Sequence, residues 1–404
     1  MKKFKIFTLG CRSNQYESEV FSSQLKKIGF IKAKKNQLPD ICIVNTCMVT
    51  RSAAKSSNTI IQSIKKDYPD AKIVITGCMA SFCKKEENVL IIKDKRELIE
   101  VLTKKKTPFE ICDFEGRTRA FIKIQEGCDN FCSYCVIPYV RNNIYSEPFD
   151  KVLKEVSSLV ENGYKEIVLT GINLGKYSYD NIDLLALIKK LEKIEKLQRI
   201  RLSSINPEDL SNDLLDVIVK SPKVSKSLHI SLQSGSNKIL KKMRRNYKVE
   251  DFLKIVSTLK KRDNGFTFST DIIVGFPGEE ERDFEESIKV VKKVKFLKVH
   301  VFSYSDSDLA ISSKMTCKVE DDIKKQRKEK LLQISRKESY NLRQTFTNMN
   351  MKVLIEGQDK KGFFKGHSDN FLLVKFKGDN LSRNKIVNVY AEKNEENNLF
   401  GQCL

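Results

Sequence analysis

Residues 127–135 read GCDNFCSYC and place Cys128, Cys132 and Cys135, here called the loop triad, at the spacing C-x3-C-x2-C. Structural zinc usually takes four cysteine or histidine ligands, whereas the next histidine and the next cysteine along the chain are His229 and Cys317. Three thiolates on one short loop suit three irons of a [4Fe–4S] cluster and leave the fourth iron open. The spacing therefore favours an iron–sulfur site, with structural zinc as the alternative.

The composition indicates a globular protein with a polyanionic partner. The 404 residues are 40% hydrophobic and carry a formal net charge of +22. Such an excess suits a folded RNA, because each lysine or arginine that meets a phosphate releases counterions. A lysine-rich surface that only maintains solubility explains the charge equally well. No apolar run approaches the roughly 18–20 residues of a membrane helix, and residues 1–7 lack a signal-peptide pattern, so we expect a cytoplasmic protein.

The remaining cysteines include a second organised set. In a reducing compartment, organised cysteines indicate metal binding or catalysis rather than disulfides. The first hundred residues alternate strand patterns with helix patterns, the strands at 5–9, 40–45 and 72–76 and the helices at 18–28 and 53–66. Cys11, Cys47 and Cys78, here called the strand-end triad, each follow one of these strands. Because the alternation predicts a parallel sheet, whose ligands bind at its carboxyl edge, we expect these thiols to converge.

The rest of the chain predicts two further regions. Six strand patterns, mostly separated by helix patterns, indicate a partial or complete parallel barrel. They lie at 120–125, 166–170, 198–203, 227–232, 267–274 and 298–304. A long polar helix is predicted over 320–346, and the short β patterns after residue 351 are typical of a small antiparallel barrel. We therefore expect an α/β protein with domains at 1–107, 114–344 and 347–404.

Residues 127–135 resemble the signature of the radical S-adenosylmethionine (SAM) superfamily, with Tyr134 as the aromatic residue before the last cysteine. The whole chain further resembles the methylthiotransferases of that superfamily, through TLGCRSNQYESE at 8–19, NTC at 45–47 and TGCMA at 76–80. The C-terminal segment resembles their RNA-binding TRAM domain. The resemblance implies an N-terminal methylthiotransferase domain, a radical SAM core and a TRAM-like barrel.

The resemblance also implies cofactors and partners. The loop triad would hold one [4Fe–4S] cluster whose open iron binds SAM, and reductive cleavage of SAM would yield a 5′-deoxyadenosyl radical. The strand-end triad would hold a second [4Fe–4S] cluster. The partners implied are tRNA, through its anticodon loop, and an electron donor such as flavodoxin or ferredoxin, while the sulfur source is not identified.

Other segments that match the family follow barrel strands and are expected to form the bed for SAM. The residues expected to contact it are Gly171, Asn173, Ser204, Gln233 and Gly275. No catalytic side chain is assigned. His229 is either a base near this site or a satisfied core histidine, and the second interpretation is favoured for it, for His300 and for His367. The cysteines without organised spacing are expected to be small buried hydrophobes; they are Cys42, Cys83, Cys112, Cys317 and Cys403.

Three kinds of methylthiotransferase must be distinguished: those acting on threonylcarbamoyladenosine in tRNA, on isopentenyladenosine in tRNA, and on an aspartate of a ribosomal protein. Residues 8–19 and RLSSINP at 201–207 are most similar to the first kind, which implies formation of 2-methylthio-N6-threonylcarbamoyladenosine at tRNA position 37. The chain departs from the family pattern at 142–147 and 306–309, where substrate contacts are expected. A tRNA-binding protein with structural iron–sulfur clusters is the non-enzymatic alternative.

Overall fold

The structure, a computed structural model, describes residues 1–111 and 113–404. Its N-terminal part is a five-stranded parallel sheet with the strand order β2-β1-β3-β4-β5. The strands are β1 (Lys3–Thr8), β2 (Ile31–Lys32), β3 (Ile41–Thr46), β4 (Lys72–Gly77) and β5 (Val89–Ile91), and the helices are α1 (Arg12–Lys27), α2 (Arg51–Asp67) and α3 (Leu98–Thr103).

Alternate side chains of the central strand β3 explain the layering of this sheet. Ile41 and Ile43 pack with α1 and α3 on one face, whereas Cys42 and Val44 pack with α2 on the other. Every residue of β3 is buried, as expected for a parallel strand that is covered on both faces. The predicted parallel sheet is therefore confirmed.

Helix α1 begins at Arg12 rather than at residue 18, where the pattern predicted its start. Its first turns bury polar side chains, among them Ser13, Asn14 and Glu17. Hydrophobic periodicity cannot detect a helix whose buried face is polar. The early start places Cys11 at the N-cap, directly between β1 and α1.

The middle of the chain forms a half-barrel from two four-stranded sheets, ordered β11-β8-β6-β7 and β12-β13-β14-β15. Neighbouring strands are parallel except β6 and β7. The strands are β6 (Arg119–Glu126), β7 (Tyr145–Ser146), β8 (Glu166–Gly171), the separate hairpin of β9 (Ser178–Tyr179) and β10 (Ile182–Asp183), β11 (Arg199–Leu202), β12 (Ser204–Ile205), β13 (Ser227–Ile230), β14 (Thr267–Val274) and β15 (Lys298–Ser303).

Helices alternate with the half-barrel strands, and their apolar residues share one large core with them. The helices are α4 (Ile137–Val140), α5 (Phe149–Glu161), α6 (Leu184–Leu191), α7 (Asn212–Lys220), α8 (Asn237–Lys242), α9 (Val249–Arg262), α10 (Glu281–Val294) and α11 (Asp321–Gln344). All six predicted strands lie within two residues of the observed bounds. The loop triad follows β6, so it lies at the carboxyl edge of the half-barrel.

The C-terminal segment is a closed antiparallel-type barrel ordered β16-β17-β18-β20-β19, in which only β18 and β20 run parallel. Its strands are β16 (Met349–Gln358), β17 (Phe364–Ser368), β18 (Leu373–Lys377), β19 (Ile386–Asn394) and β20 (Leu399–Cys403). The barrel is joined to the half-barrel through Arg199, which donates to the carbonyl oxygen of Lys352 at 2.9 Å, and through Thr267, which donates to that of Asn370 at 2.6 Å. Within the described ranges, no helix has the length and apolar character needed to cross a membrane.

Candidate metal centres

The strand-end triad comes together at the carboxyl edge of the N-terminal sheet. Cys11, Cys47 and Cys78 follow β1, β3 and β4, which are neighbours in the sheet. Cys47 and Cys78 are buried, and Cys11 is exposed. Burial raises the pKa of the Cys47 thiol, and the nearby Cys78 and Cys11 raise it further. The structure thus brings together the three cysteines whose convergence the alternation of strands and helices predicted.

Close backbone packing holds this edge in place. Gly10 has a φ of +90°, and a Cβ there would lie 2.8 Å from Cys47 Sγ, so the position requires glycine. Asn14, which the sequence reasoning missed, donates to the carbonyl oxygens of Leu9 at 2.7 Å and Thr46 at 3.0 Å. One side-chain amide therefore ties together the two loops that carry the first two cysteines of the triad.

The loop triad lies on a compact turn after β6. The Cys135 amide donates to the Cys132 carbonyl oxygen at 2.9 Å, and the Ser133 amide donates to the Met243 carbonyl oxygen at 3.1 Å. Burial raises the pKa of Cys135 to about 12 and also raises that of Cys128. Without a bound metal these two thiols are therefore protonated at neutral pH, and metal binding would displace their protons.

Each triad has a guanidinium directed at one of its sulfurs. Arg141 Nε donates to Cys78 Sγ at 3.2 Å, and Arg245 Nη1 donates to Cys132 Sγ at 3.3 Å. A neutral thiol is a weak acceptor, whereas a metal-bound thiolate carries negative charge that such donors stabilise. The residues around both triads therefore fit an iron–sulfur cluster held by three cysteines.

Arg141 also belongs to a buried ionic network between the N-terminal sheet and the half-barrel. It pairs with Glu17 of α1 at 3.2 Å and with Glu126 of β6. Lys123 bridges the same two carboxylates at 3.0 and 2.7 Å, and Lys95 reaches Glu17 at 2.9 Å. Burial alone would raise the pKa of Glu17, but the three cations hold it well below its usual value. Three cations face two carboxylates, so one positive charge remains beside the strand-end sulfurs.

The sequence reasoning missed this network entirely. Lysine, arginine and glutamate rarely lie fully buried unless they are paired, and these pairs join residues of α1, β6 and the segment after α4. No local pattern reports such contacts.

The residues expected to contact SAM lie at the carboxyl edge of the half-barrel. Gly171 ends β8 and Asn173 follows it, Ser204 begins β12, Gln233 follows β13, and Gly275 follows β14. Asn173 Nδ2 lies 3.7 Å from Cys128 Sγ, which places this amide against the loop triad. Gln233 has a φ of +66°, and Ser204 Oγ lies 2.8 Å from Ser231 Oγ.

The neighbours of the two glycines are protein atoms. The Gly275 amide donates to Glu279 at 2.5 Å, and a Cβ at this position would lie 2.3 Å from Lys324 Cγ of α11. A Cβ at Gly171 would lie 3.0 Å from the Gln125 Cβ. Both glycines thus permit close packing of the loops at this edge.

The histidine prediction is wrong in one respect. His229 and His367 have hydrogen-bond partners, as satisfied side chains do, but these two and His300 are half-buried and line one cavity instead of lying in the core. His229 lies 3.0 Å from Ser269 Oγ and 3.2 Å from Asp271 Oδ2. Apolar neighbours in sequence suggested a core position, whereas the histidines on β13, β15 and β17 all line the cavity.

The cysteines without organised spacing divide into two groups. Cys42 is fully buried, as predicted, whereas Cys317 is exposed and Cys83 and Cys403 are half-buried, so the prediction of buried hydrophobes is wrong for these three. Cys83 and Cys403 pack at the margins of two hydrophobic cores and so are only partly covered, whereas Cys317 lies in an exposed turn. Cys112 lies outside the described residues.

The two segments that depart from the family pattern make contacts within the protein. In 142–147, the buried Glu147 pairs with Arg96 at 2.7 Å and with Lys151 at 2.9 Å. In 306–309, Asp306 accepts a hydrogen bond from Tyr304 Oη at 2.9 Å and pairs with Lys318 at 2.7 Å.

Two family models match the parts of the chain that contain the two cysteine triads. The family described as "Radical SAM superfamily" matches residues 122–291, and "Uncharacterized protein family UPF0004" matches residues 3–98. Among solved structures, the radical S-adenosylmethionine methyltransferase TsrM from Kitasatospora setae has a TM-score of 0.56 at 14% identity, covering 78% of this chain and 77% of that one. This likeness is one of fold alone.

Relatives of similar length share about a third of the residues. The chain is 36% identical to "Threonylcarbamoyladenosine tRNA methylthiotransferase MtaB" of Chlamydia pneumoniae, over 99% of this chain and 98% of the relative. It is 36% identical to the protein of that name from Thermotoga maritima, over 98% and 96% of the two chains. It is 34% identical to "tRNA-2-methylthio-N(6)-dimethylallyladenosine synthase" of Clostridium botulinum, over 99% and 96%. The chain therefore belongs to the radical SAM methylthiotransferase family.

Proposed function

We propose that the protein converts N6-threonylcarbamoyladenosine at position 37 of tRNA to its 2-methylthio derivative. The observation that carries this proposal is the pair of cysteine triads, each at the carboxyl edge of a parallel sheet, with Arg141 reaching from the half-barrel to the strand-end triad. One triad would serve radical generation and the other would hold sulfur, and Arg141, which follows the loop triad by six residues, contacts the strand-end triad. The names of the relatives at 36% identity agree with this substrate.

The family uses a [4Fe–4S] cluster and SAM, and we assign that cluster to the loop triad. With both bound, the chemistry supplied is a carbon radical that removes hydrogen from an unactivated C–H bond. The chain itself contributes the ligands, the donors to their sulfurs from Arg245 and Asn173, and the loops after β8, β11, β13 and β14 as the bed for SAM. We retain Gly171, Asn173, Ser204, Gln233 and Gly275 as the residues of that bed.

We assign a second [4Fe–4S] cluster, which presents sulfur to the substrate, to the strand-end triad. Arg141 supports this assignment, because its guanidinium is held by two buried carboxylates while its Nε is directed at Cys78. Carbon 2 of adenine is a poor nucleophile and a poor electrophile, so exchanging its C–H for C–S requires radical chemistry and a positioned sulfur. The two triads meet these two requirements separately.

The target base must leave its stack to reach this site, which suits a nucleotide of the anticodon loop. Exposed cations on α11, including Lys325, Arg336 and Lys337, and the C-terminal barrel next to it offer contacts for tRNA phosphates. An electron donor of the flavodoxin or ferredoxin type and a cytoplasmic location belong to the same proposal, as do the domain boundaries 1–107, 114–344 and 347–404.

The second candidate substrate is the dimethylallyl-modified adenosine, which is also called isopentenyladenosine, because relatives named for it are 34% identical to the chain. Mass spectrometry of tRNA nucleosides from cells with and without the gene tests the choice. Loss of the gene should remove 2-methylthio-N6-threonylcarbamoyladenosine and leave its unthiolated precursor. Disappearance of the 2-methylthio dimethylallyl nucleoside instead would assign the protein to the second substrate.

A further inference from the structure

The cavity lined by the three histidines lies between the half-barrel strands, α11 and the C-terminal barrel and has a volume of about 680 Å³. Arg12, which directly follows Cys11 of the strand-end triad in the chain, is one of the residues that line the cavity. The segment at the start of α1 therefore contributes both to the strand-end triad and to the lining of this cavity.

The cavity is built for an anion. Five basic residues line it, against a single acidic one, Glu396. The basic residues are Arg12, Arg201, Lys298, Arg336 and Arg343. Not all of this charge is free, since Arg201 pairs with Glu166 at 2.8 Å and Arg343 donates to the Glu396 carbonyl oxygen at 2.6 Å. The excess positive charge that remains lies on the lining side chains that have no such partner.

Arg12 is the clearest of these. It is half-buried, and its guanidinium lies 5.8 Å from the centre of the Phe121 ring. Throughout 1–111 and 113–404, no carboxylate lies within ion-pair distance of it and no protein group accepts a hydrogen bond from it. A guanidinium presents a fork of N–H donors that matches a carboxylate in bidentate fashion. An arginine that lines a cavity without a counter-ion can thus pair with a carboxylate of a bound ligand.

The imidazoles that line the cavity add further polar groups. His229 is held by Ser269 and Asp271 at 3.0 and 3.2 Å, and the His300 ring lies 5.7 Å from the His229 ring. These side chains suit the hydroxyl and carbonyl groups of a polar ligand that reaches past Arg12.

From this geometry we infer that the cavity receives the N6-threonylcarbamoyl group of the substrate adenosine, with Arg12 pairing with its carboxylate and His229 and His300 contacting its polar atoms. The inference rests on the proposed function and adds the residues that choose the substrate. A dimethylallyl group has no polar atom, so it would leave Arg12 desolvated and unpaired. Sites built for polar partners reject analogues that lack them.

The strongest competing interpretation is a metal ion on His229, Asp271 and His300, whose ligand atoms lie within 4.8 Å of one another. The charge of the cavity opposes it, because Asp271 is the one carboxylate among these three groups, while Arg12, Lys298 and Arg336 line the cavity with no carboxylate within ion-pair distance in the described part of the chain. An anionic group relieves that repulsion.

The test measures binding of synthetic anticodon stem-loops to the full-length protein with both clusters reconstituted. The stem-loops carry either threonylcarbamoyladenosine or dimethylallyladenosine at position 37. We expect the wild-type protein to bind the first more tightly, and Arg12→Gln to reduce this preference by roughly 10- to 100-fold, as for loss of a hydrogen bond to a charged group. Arg12→Lys should retain part of the preference, because it keeps the charge without the fork.

Two further variants separate recognition from damage to the triad. Arg117→Gln is the matched control, since this exposed arginine stacks on the same Phe121 ring at 5.4 Å but does not line the cavity, and it should keep the wild-type preference. His300→Phe keeps a ring on a strand remote in sequence from Cys11, and it should lower the preference by several-fold with the full iron content.

An Arg12→Gln variant that keeps the full preference, or a wild-type protein that binds both stem-loops equally, would overturn the inference. So would stoichiometric zinc that is lost in Asp271→Asn. Turnover of the same stem-loops by the wild-type protein reports separately on the proposed function: conversion without any effect of Arg12→Gln overturns the cavity assignment alone, whereas selective binding without conversion overturns the reaction alone.

Discussion

The loop triad and the strand-end triad each place three cysteines at the carboxyl edge of a parallel sheet, but they are built in opposite ways. The loop triad is contained in residues 128–135, so its geometry depends on one turn. The strand-end triad takes its cysteines from positions 11, 47 and 78, so its geometry depends on the register of three neighbouring strands. The loop triad is therefore a local structure, whereas the strand-end triad is a property of the folded sheet.

The arginines that contact the two triads also differ in whether they come from the same part of the fold. Arg245 is directed at the loop triad from the segment after α8, within the half-barrel. Arg141 reaches the strand-end triad from the half-barrel into another sheet, and Glu17 and Glu126 hold it from both sides. The strand-end triad is therefore completed only when the N-terminal sheet docks on the half-barrel.

Removing either triad should separate the two by function. Replacing the three cysteines of the loop triad with alanine should abolish cleavage of SAM and remove about half of roughly eight irons. The matching triple replacement of the strand-end triad should remove the other half and leave SAM cleavage intact. Iron analysis and detection of 5′-deoxyadenosine in the same samples check both outcomes. Full iron in the strand-end variant would show that the second cluster is absent.

How far the sequence predicts each region follows from the same contrast. Cys128, Cys132 and Cys135 are identified by spacing alone, since a short loop carries all the information. Cys11, Cys47 and Cys78 are identified only by adding the rule that carboxyl ends of parallel strands share one edge. Neither the cysteine spacing nor the strand-end rule predicts the Glu17–Arg141 pair, because this contact depends on how two sheets dock.

The C-terminal barrel shows a second limit of sequence reasoning. Strands β17 and β20 contain Gly366 and Gly401, and glycine usually counts against a strand. In the structure a Cβ at either position would lie 1.9 Å from a carbonyl oxygen of the neighbouring strand, so close approach requires glycine there. The same two glycines that weaken the strand pattern in the sequence therefore let the barrel close.

A smaller effect tests whether docking completes the strand-end triad. Arg141→Gln removes one partner of a buried ionic network and leaves Glu17 and Glu126 with fewer cations. We expect a loss of about 3–5 kcal/mol in the free energy of unfolding, the usual cost of breaking a buried pair, together with reduced iron at the strand-end triad only. Denaturant unfolding and iron analysis of the full chain measure the two effects.

Two controls sharpen that result. Arg262→Gln breaks an exposed pair with Asp216 and should leave the free energy of unfolding close to that of the wild-type protein, because solvent screens such pairs. Adding Glu17→Gln to Arg141→Gln leaves Lys95 and Lys123 with Glu126 as the one carboxylate of this network, so the double variant should not recover the lost stability. If the single variant is as stable as the wild-type protein, the network does not hold the two sheets together.

The smallest effect concerns the hydrogen bond that docks α1, the helix that begins after Cys11, on α5. Tyr16 Oη donates to both oxygens of Glu155 at 2.9 and 3.0 Å. Burial raises the pKa of Glu155 from 4.5 to about 7, despite Lys151 at 3.8 Å. Between these pH values the folded state binds more protons than the unfolded state, so this contribution to stability is full below about pH 4.5 and is lost as the pH rises through about 7.

Glu155→Gln stays neutral, so its stability relative to the wild-type protein should rise between pH 5 and 8, by about 3 kcal/mol at most. Paired denaturant titrations across this range measure the difference, with the exposed Glu161→Gln on the same helix as the control that should follow the wild-type profile. A difference that does not change with pH would mean that Glu155 stays ionised in the folded protein, and that Lys151 rather than burial controls this contact between the strand-end region and the half-barrel.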